Sequence, residues 1–297
     1  MAPIAAANPS LFRKITRPYL TADYTKPQKI LAIQTHYEFV AQHLSQASLI
    51  AAASVSGLPL LTVTGRPGET GRVLLQSESK FSKEGEMTLS LFSQQHDQRV
   101  YSLSFLITAD GAGSHVMTIG ATQGLDRGAP KDIIKDTAKA LHGLRPKALL
   151  VYLAQELARA WGLRAIRAVS NARHISNHSD YRLNRSRRPK LTFDEFWLEC
   201  DGVRQPDGFF ALPLTPVQRP LEDIKPNMRS KYRQRYAMME AVAAEMQTVL
   251  QRHHEDVRLS AANGPTIEAV PQTEAATKKG SVPIVLPRPK WAAATRG

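Results

Sequence analysis

The spacing of apolar residues changes along this chain of 297 residues, and the change limits the folds open to it. From Leu58 to Thr122 apolar residues alternate with polar ones, which is typical of strands. The alternation predicts strands over 58–64, 72–78, 86–92, 99–108 and 115–122, with turn residues between them. Consecutive strands joined by short turns favour an antiparallel meander with one face on a core.

Helical spacing of apolar residues flanks the predicted meander. It predicts helices over 27–46, 130–142, 147–161 and 228–253, and a short helix from Thr192 or Asp194 to Glu199. Two further strands are predicted over 163–169 and 208–214. Because 147–161 and 163–169 follow each other almost directly, they form an αβ unit whose strand should join the meander. The sequence therefore predicts an α+β fold with a mostly antiparallel sheet of six or seven strands, flanking helices and a long C-terminal helix.

Both ends of the chain lack this periodicity. Residues 1–26 contain Pro3, Pro9 and Pro18, and we predict an extended N-terminal arm. After Asp256 the composition turns to Ala, Pro, Thr and Lys, so a disordered tail is predicted over 257–297. Between them, 27–256 is predicted to be a single domain.

The sequence also indicates a compartment. Cys200 is the only cysteine, which excludes an internal disulfide and fits a reducing environment. No apolar run approaches the ~18 residues of a membrane span, and the start of the sequence has no secretory signal pattern. We therefore expect a cytoplasmic protein.

The net charge of +13 is concentrated in two stretches, 163–190 and 219–235. Such basic stretches attract polyanions, which leaves nucleic acid, anionic lipid headgroups or a phosphorylated ligand as partners. The alternative is a solvated basic surface. Nucleic acid is the less favoured partner, because Arg182–Lys190 lacks interleaved aromatic residues for base stacking. Peripheral contact with an anionic inner membrane is a further expectation.

Several motifs together are similar to one bacterial family. They are Glu84-Gly85-Glu86, Ile119-Gly120 with Gln123-Gly124, His142 to Lys147, Val169-Ser170-Asn171 with His174, Phe193 to Trp197, and Lys231 to Tyr236. Over residues 15–250 the chain resembles the VirK/YbjX family. That resemblance implies a link to virulence and to resistance against cationic antimicrobial peptides in enteric bacteria. It implies no reaction.

The predicted order of elements resembles a second group, the GNAT-type acyltransferases. In that architecture the loop before the long helix holds the pyrophosphate of acyl-CoA. Gly143, Arg145 and Lys147 occupy that place here, and Gln123 and Gly124 complete the predicted cofactor-binding set. A helix N-terminus with basic side chains binds anions. The alternative for 143–147 is a plain helix–helix turn with proline at the first helical position.

Polar residues follow the predicted strand 163–169, and ligand sites gather at strand ends in αβ units. We predict His174 and Glu199 as catalytic and Ser170, Asn171 and Trp197 as substrate-binding. Each has a structural alternative: polar residues also form turns, and aromatic residues also form cores.

Three further titratable residues are Glu84, Glu86 and Cys200. Glu84 and Glu86 could act as bases if burial raised their pKa, but surface pairing is the favoured expectation. Cys200 is expected to be a core thiol, and no metal site is predicted.

Two functions follow from these observations. The first is a GNAT-like acyltransferase that uses acyl-CoA and acts on an envelope lipid or a protein acceptor. The second is a non-enzymatic binding protein whose basic face contacts anionic lipid, nucleic acid or a partner protein.

Overall fold

A computed structural model describes residues 2–9, 11–65, 70–110, 112–126, 128–130, 132–178 and 192–262. Two predicted features lie outside the described residues: the disordered tail from residue 263 onward, and the basic run Arg182–Lys190. The described residues up to Ala262 belong to one structural unit.

An eight-stranded sheet organises this unit. Its strands are β1 Leu58–Thr64, β2 Thr70–Gln76, β3 Met87–Ser93, β4 Gln98–Ala109, β5 His115–Gln123, β6 Ala165–Val169, β7 Val203–Arg204 and β8 Phe209–Leu212. They run in the order β1-β2-β3-β4-β5-β6-β8-β7. All neighbouring strands pair antiparallel except β5 and β6, which are parallel. This confirms the α+β prediction, and the additional strand β7 has only two residues.

Both faces of the central strands are covered, whereas the sequence predicted one face on a core. Side chains alternate between the two faces of a strand, yet every residue from Leu103 to Ile107 is buried. The helices that surround the sheet are α1 Ala2–Ala7, α2 Lys26–Val40, α3 Gln46–Ala52, α4 Asp132–Ala140, α5 Pro146–Ala160, α6 Phe193–Glu199 and α7 Pro226–Ala262. Within the described ranges, no helix is both long and apolar enough to cross a membrane.

Helix α5 makes the crossover between the two parallel strands. Parallel strands cannot be joined by a tight turn, so a helix between them is the usual solution. The residues from Leu149 to Ala158 are all buried, and α5 packs against β3, β4 and β6. The predicted αβ unit is therefore present, with α4 inserted before it.

Helix α7 is longer than the predicted 228–253 and continues through the first residues of the predicted tail. It packs against α5 and the edge strand β1, and the Tyr152 hydroxyl donates to the Met239 carbonyl at 3.0 Å. Met246 and Leu250 are buried as predicted, whereas Tyr232 and Tyr236 on the same seam are only partly buried. The packing of this helix on the sheet domain is confirmed.

The N-terminal residues do not form the predicted extended arm. Helix α1 is followed by a 3-10 helix over Leu11–Lys14, and Leu11, Tyr19 and Leu20 are in the core. The prolines suggested an arm, but these apolar side chains stabilise the segment by burial. A second correction concerns the predicted helix 27–46. It ends at Val40, and Ser45 then caps the separate helix α3 by accepting the Ser48 N–H.

Strands β5 and β6 part before β5 ends. Their last paired residues are Ile119 and Ala168, whereas β5 continues to Gln123 alongside β4 alone. The C-terminal ends of neighbouring parallel strands are where ligands bind in αβ units. This point of the sheet positions the candidate site.

Candidate functional site

A pocket of about 620 Å³ opens at the end of β5. The sheet, the residues before β3, the start of α5, the loop after β6 and helix α6 all contribute to its walls. Gln123, Gly124, Lys147 and His174, all predicted as site residues, lie here together. The remaining lining residues are Lys80, Glu84, Tyr101, Thr122, Leu125, Asp126, Thr192, Phe193 and Phe196.

Glu84 is the buried acid of this pocket. Its two carboxylate oxygens accept from the Gln123 amide nitrogen at 2.7 and 2.6 Å. Burial disfavours the charged form and raises the pKa of Glu84 to about 7, although the Gln123 hydrogen bond and Lys83 act in the opposite direction. At neutral pH this carboxyl can therefore both accept and release a proton.

His174 faces Glu84 across the pocket wall. Its Nδ1 accepts from the Ser176 backbone N–H at 3.3 Å, so the proton of the neutral ring lies on Nε2. Nε2 is 3.8 Å from Glu84 Oε1, too far for a hydrogen bond. Burial lowers the pKa of His174 to about 4, so the contact at neutral pH is not an ion pair. Nε2 has no hydrogen-bond partner within the described residues, which leaves its N–H able to donate to a ligand.

Two glycines let the backbone around Glu84 lie directly on the sheet. We call residues 79–86 the Glu84 turn. A Cβ on Gly120 would lie 1.8 Å from the Glu84 carbonyl oxygen, and one on Gly85 would lie 2.6 Å from the Phe105 carbonyl oxygen. Any larger residue at either position would push the turn away from β4 and β5. These glycines therefore hold Glu84 beside Gln123.

The rim of the pocket is basic and aromatic. Lys147 Nζ lies 4.0 Å from the centroid of the Phe196 ring, within cation–π range. Burial lowers the pKa of Lys147, and neighbouring Arg145 adds to the effect. On the opposite side Asp126 pairs with Lys80 and, at 2.8 Å, with Arg99. The Lys80 contact is the largest cause of the lowered pKa of Asp126.

A family model described as "Protein of unknown function (DUF535)" matches residues 1–248. The chain belongs to the DUF535 family. YbjX of Escherichia coli is 29% identical over 241 residues, which are 81% of this chain and 72% of YbjX. This confirms the predicted VirK/YbjX resemblance.

Two Haemophilus influenzae proteins are also similar to the chain. One is 30% identical over 55% of this chain, and the chain spans about half of that relative, 53%. A solved cAMP-binding acyltransferase from Mycobacterium smegmatis, a mutant, aligns over 72% of this chain and 61% of its own, with 9% identity. Its TM-score of 0.30 is too low to carry an argument.

Arg145 and Glu199 of this DUF535 chain do not line the pocket. They bind each other at 2.6 Å, and both side chains are about half exposed. The hydrogen bond from Arg145 lowers the pKa of Glu199, so this carboxylate is a weak base at neutral pH. Gly143 has a φ of +77° where the chain turns after α4, and a Cβ there would lie 2.5 Å from Lys231 Nζ. A turn between two helices, the alternative to a cofactor-binding loop, therefore accounts for Gly143.

Two of the predicted substrate-binding residues, Asn171 and Trp197, hold α6 at the end of β6. The Trp197 indole N–H donates to the Val169 carbonyl at 2.9 Å. Asn171 Oδ1 accepts the Phe193 N–H at 2.9 Å, one of the donors at the start of a helix that lack an intrahelical partner. Ser170 is fully buried, and its Oγ accepts the Arg173 N–H at 3.4 Å within the loop after β6. Asn171 and Trp197 thus position the pocket wall, and Trp197 is part of the core.

Glu84 was not among the residues predicted as catalytic from the sequence. Surface pairing was the expectation for Glu84 and Glu86, and it was wrong, because both are buried. The available signal was Gly85 together with Gly120, since glycines in strand patterns indicate close backbone approach.

Cys200 packs against the core, and burial raises its pKa to about 11. Within the described ranges, His, Cys, Asp and Glu form no group of three that could hold a metal ion.

Proposed function

We propose that this protein transfers an acyl group from a thioester such as acyl-CoA to an amine or hydroxyl acceptor, with Glu84 as the general base. The observation that carries the proposal is a buried carboxyl with a pKa of about 7 in a pocket at the end of a parallel strand pair. General bases work best when their pKa lies near the operating pH.

The reaction needs one proton acceptor and one hydrogen-bond donor. The acceptor nucleophile attacks the thioester carbonyl, a new N–C or O–C bond forms, and Glu84 takes the proton of the nucleophile. The C–S bond then breaks, and the leaving thiolate takes up a proton. His174 is neutral and donates from Nε2, so it suits the oxygen on which negative charge develops.

The size of the pocket and the position of Lys147 support a large anionic donor. Its volume of about 620 Å³ falls within the ~300–1,000 Å³ typical of small-molecule sites. Lys147 stands at the start of α5 and lines the pocket, where its cationic side chain suits phosphate oxygens. Phe193 and Phe196 form an apolar wall for an acyl or pantetheine chain. An envelope lipid or a protein is the acceptor of this proposed reaction. The link to virulence and antimicrobial-peptide resistance remains an expectation of the family resemblance.

The proposal is tested by thiol release from acetyl-CoA in the presence of a panel of amines and alcohols. Glu84→Gln keeps the shape of the side chain but removes the base, so the rate should fall by about 10²-fold or more. The control is Glu240→Gln on the exposed side of α7, which should retain wild-type activity. Equal rates for wild type and Glu84→Gln would exclude Glu84 as the base.

A further inference from the structure

A second pocket, of about 140 Å³, lies between the N-terminal segment and the Glu84 turn. We call it the N-terminal pocket. Its volume exceeds the ~30 Å³ that one water occupies in the liquid, so it has room for a small polyatomic group. It is lined by Arg13, Lys14, Arg17, Pro18, Ser79, Ser82 and Lys83.

The lining of the N-terminal pocket is mostly basic. Among the described residues that form it, four are basic and none is acidic. Lys14 is neutralised from behind, since its Nζ donates to Glu86 Oε2 at 2.9 Å and to the Gly85 carbonyl at 3.3 Å. Arg13 and Arg17 are exposed, and guanidinium groups stay charged at any physiological pH.

We propose that the N-terminal pocket binds a phosphate group, either free or carried by a larger molecule. Two arginines match phosphate oxygens with paired N–H donors. The Ser79 hydroxyl adds a neutral donor at the same opening. Lys83 adds a further charge from the Glu84 turn. This site lies apart from the proposed acyl-transfer pocket and does not depend on that activity.

The Glu84 turn borders both pockets. Ser79, Ser82 and Lys83 face the N-terminal pocket, whereas Lys80 and Glu84 face the larger one. The Lys83 carbonyl also accepts the Leu20 N–H at 2.7 Å, which ties the turn to the N-terminal segment. A phosphate bound between Arg13, Arg17 and Lys83 therefore bridges the same two segments and stabilises the folded protein.

Calorimetric titration with inorganic phosphate, at constant ionic strength set by sodium chloride, tests the site without any activity assay. Wild type and the control Arg252→Gln, an exposed arginine on α7, should bind one phosphate saturably. The double variant Arg13→Gln/Arg17→Gln should bind at least about tenfold more weakly, because charge-assisted hydrogen bonds are lost. Ser79→Ala, which removes only a hydroxyl, should weaken binding to a smaller extent and guards against a folding defect in the double variant.

Vesicles distinguish the two sources of phosphate. If vesicles of phosphatidylcholine with phosphatidic acid retain the protein and inorganic phosphate releases it, the pocket takes a lipid headgroup. Phosphate binding without vesicle retention assigns a small phosphorylated compound, and either result supports the site. No saturable phosphate binding, or equal binding by wild type and the double variant, overturns it.

Discussion

Glu84 and His174 carry opposite pKa shifts that have the same physical cause. Burial disfavours the charged form of each group, so it raises the pKa of Glu84 to about 7 and lowers the pKa of His174 to about 4. Both side chains are therefore neutral over much of the acidic range. The pair enters the neutral range with a proton on Glu84 that a small rise in pH removes.

The raised pKa of Glu84 predicts that the free energy of unfolding depends on pH. Between about pH 4.5 and 7 the folded protein keeps the Glu84 proton, whereas the unfolded chain has lost it. Raising the pH then favours unfolding, so the stabilisation by Glu84 is full below about 4.5 and is lost as the pH passes 7. Relative to Glu84→Gln, the wild-type free energy of unfolding should fall by on the order of 3 kcal/mol across this window.

Urea unfolding at a series of pH values measures this quantity. His174 acts in the opposite direction, because its lowered pKa stabilises the protein above about pH 6.5 and that contribution is lost as the pH falls through 4. The two effects partly cancel in wild type, so only the difference from Glu84→Gln isolates the acid. A difference that stays constant with pH, or rises, would mean that Glu84 is not held as a buried acid.

At the scale of elements, the site depends on how closely the Glu84 turn packs against the sheet. Gly120 lies just after the last paired residue between β5 and β6, where the Glu84 carbonyl approaches most closely. The Glu84 carboxyl is thus positioned by backbone contact as well as by its hydrogen bonds to Gln123. A change on β5 alone can therefore displace this carboxyl, although it belongs to another segment.

Gly120→Ala tests this dependence. The added Cβ meets a backbone oxygen, so the turn must shift at a cost of ~1–3 kcal/mol in the free energy of unfolding. Acetyl-CoA turnover should fall although Glu84 is still present. The control is Gly113→Ala in the β4–β5 turn, where a Cβ meets nothing within 4 Å and only the positive φ costs ~1–2 kcal/mol. Full activity of Gly120→Ala would show that activity does not depend on the contact between Gly120 and the Glu84 carbonyl.

The sequence predicted these elements well because their signals are local. The alternation over β1–β5 and the helical spacing of α5 are each contained within one segment. The contacts that position Glu84 are not local in sequence, since they join residues 84, 105, 120 and 123 across the sheet. The arm prediction failed in the same way. Tyr19 is buried with its hydroxyl donating to Glu86 at 2.5 Å, a contact 67 positions away that no local pattern contains.

At the scale of the whole molecule, the unpaired basic surface is smaller than the charges of residues 163–190 alone indicate. Arg164, Arg167 and Arg173 lie in a stretch with few acids, yet they pair with Asp110, Asp207 and Asp23 from distant segments. The net charge of +13 is unchanged by this pairing. A net positive charge attracts polyanions in general, and salt screens this attraction over ~10 Å at 0.1 M. A specific pocket must be told apart from such general attraction.

Calorimetric titration of acetyl-CoA at physiological salt makes that distinction most directly. We predict saturable binding of one acetyl-CoA by wild type. Lys147→Gln should weaken this binding about tenfold or more, because one charge-assisted hydrogen bond is worth ~1.5–3 kcal/mol. Lys225→Gln removes the same charge at an exposed position before α7 and should bind as wild type does. Absence of binding, or equal weakening by both lysine variants, would contradict an acyl-CoA pocket at the end of β5.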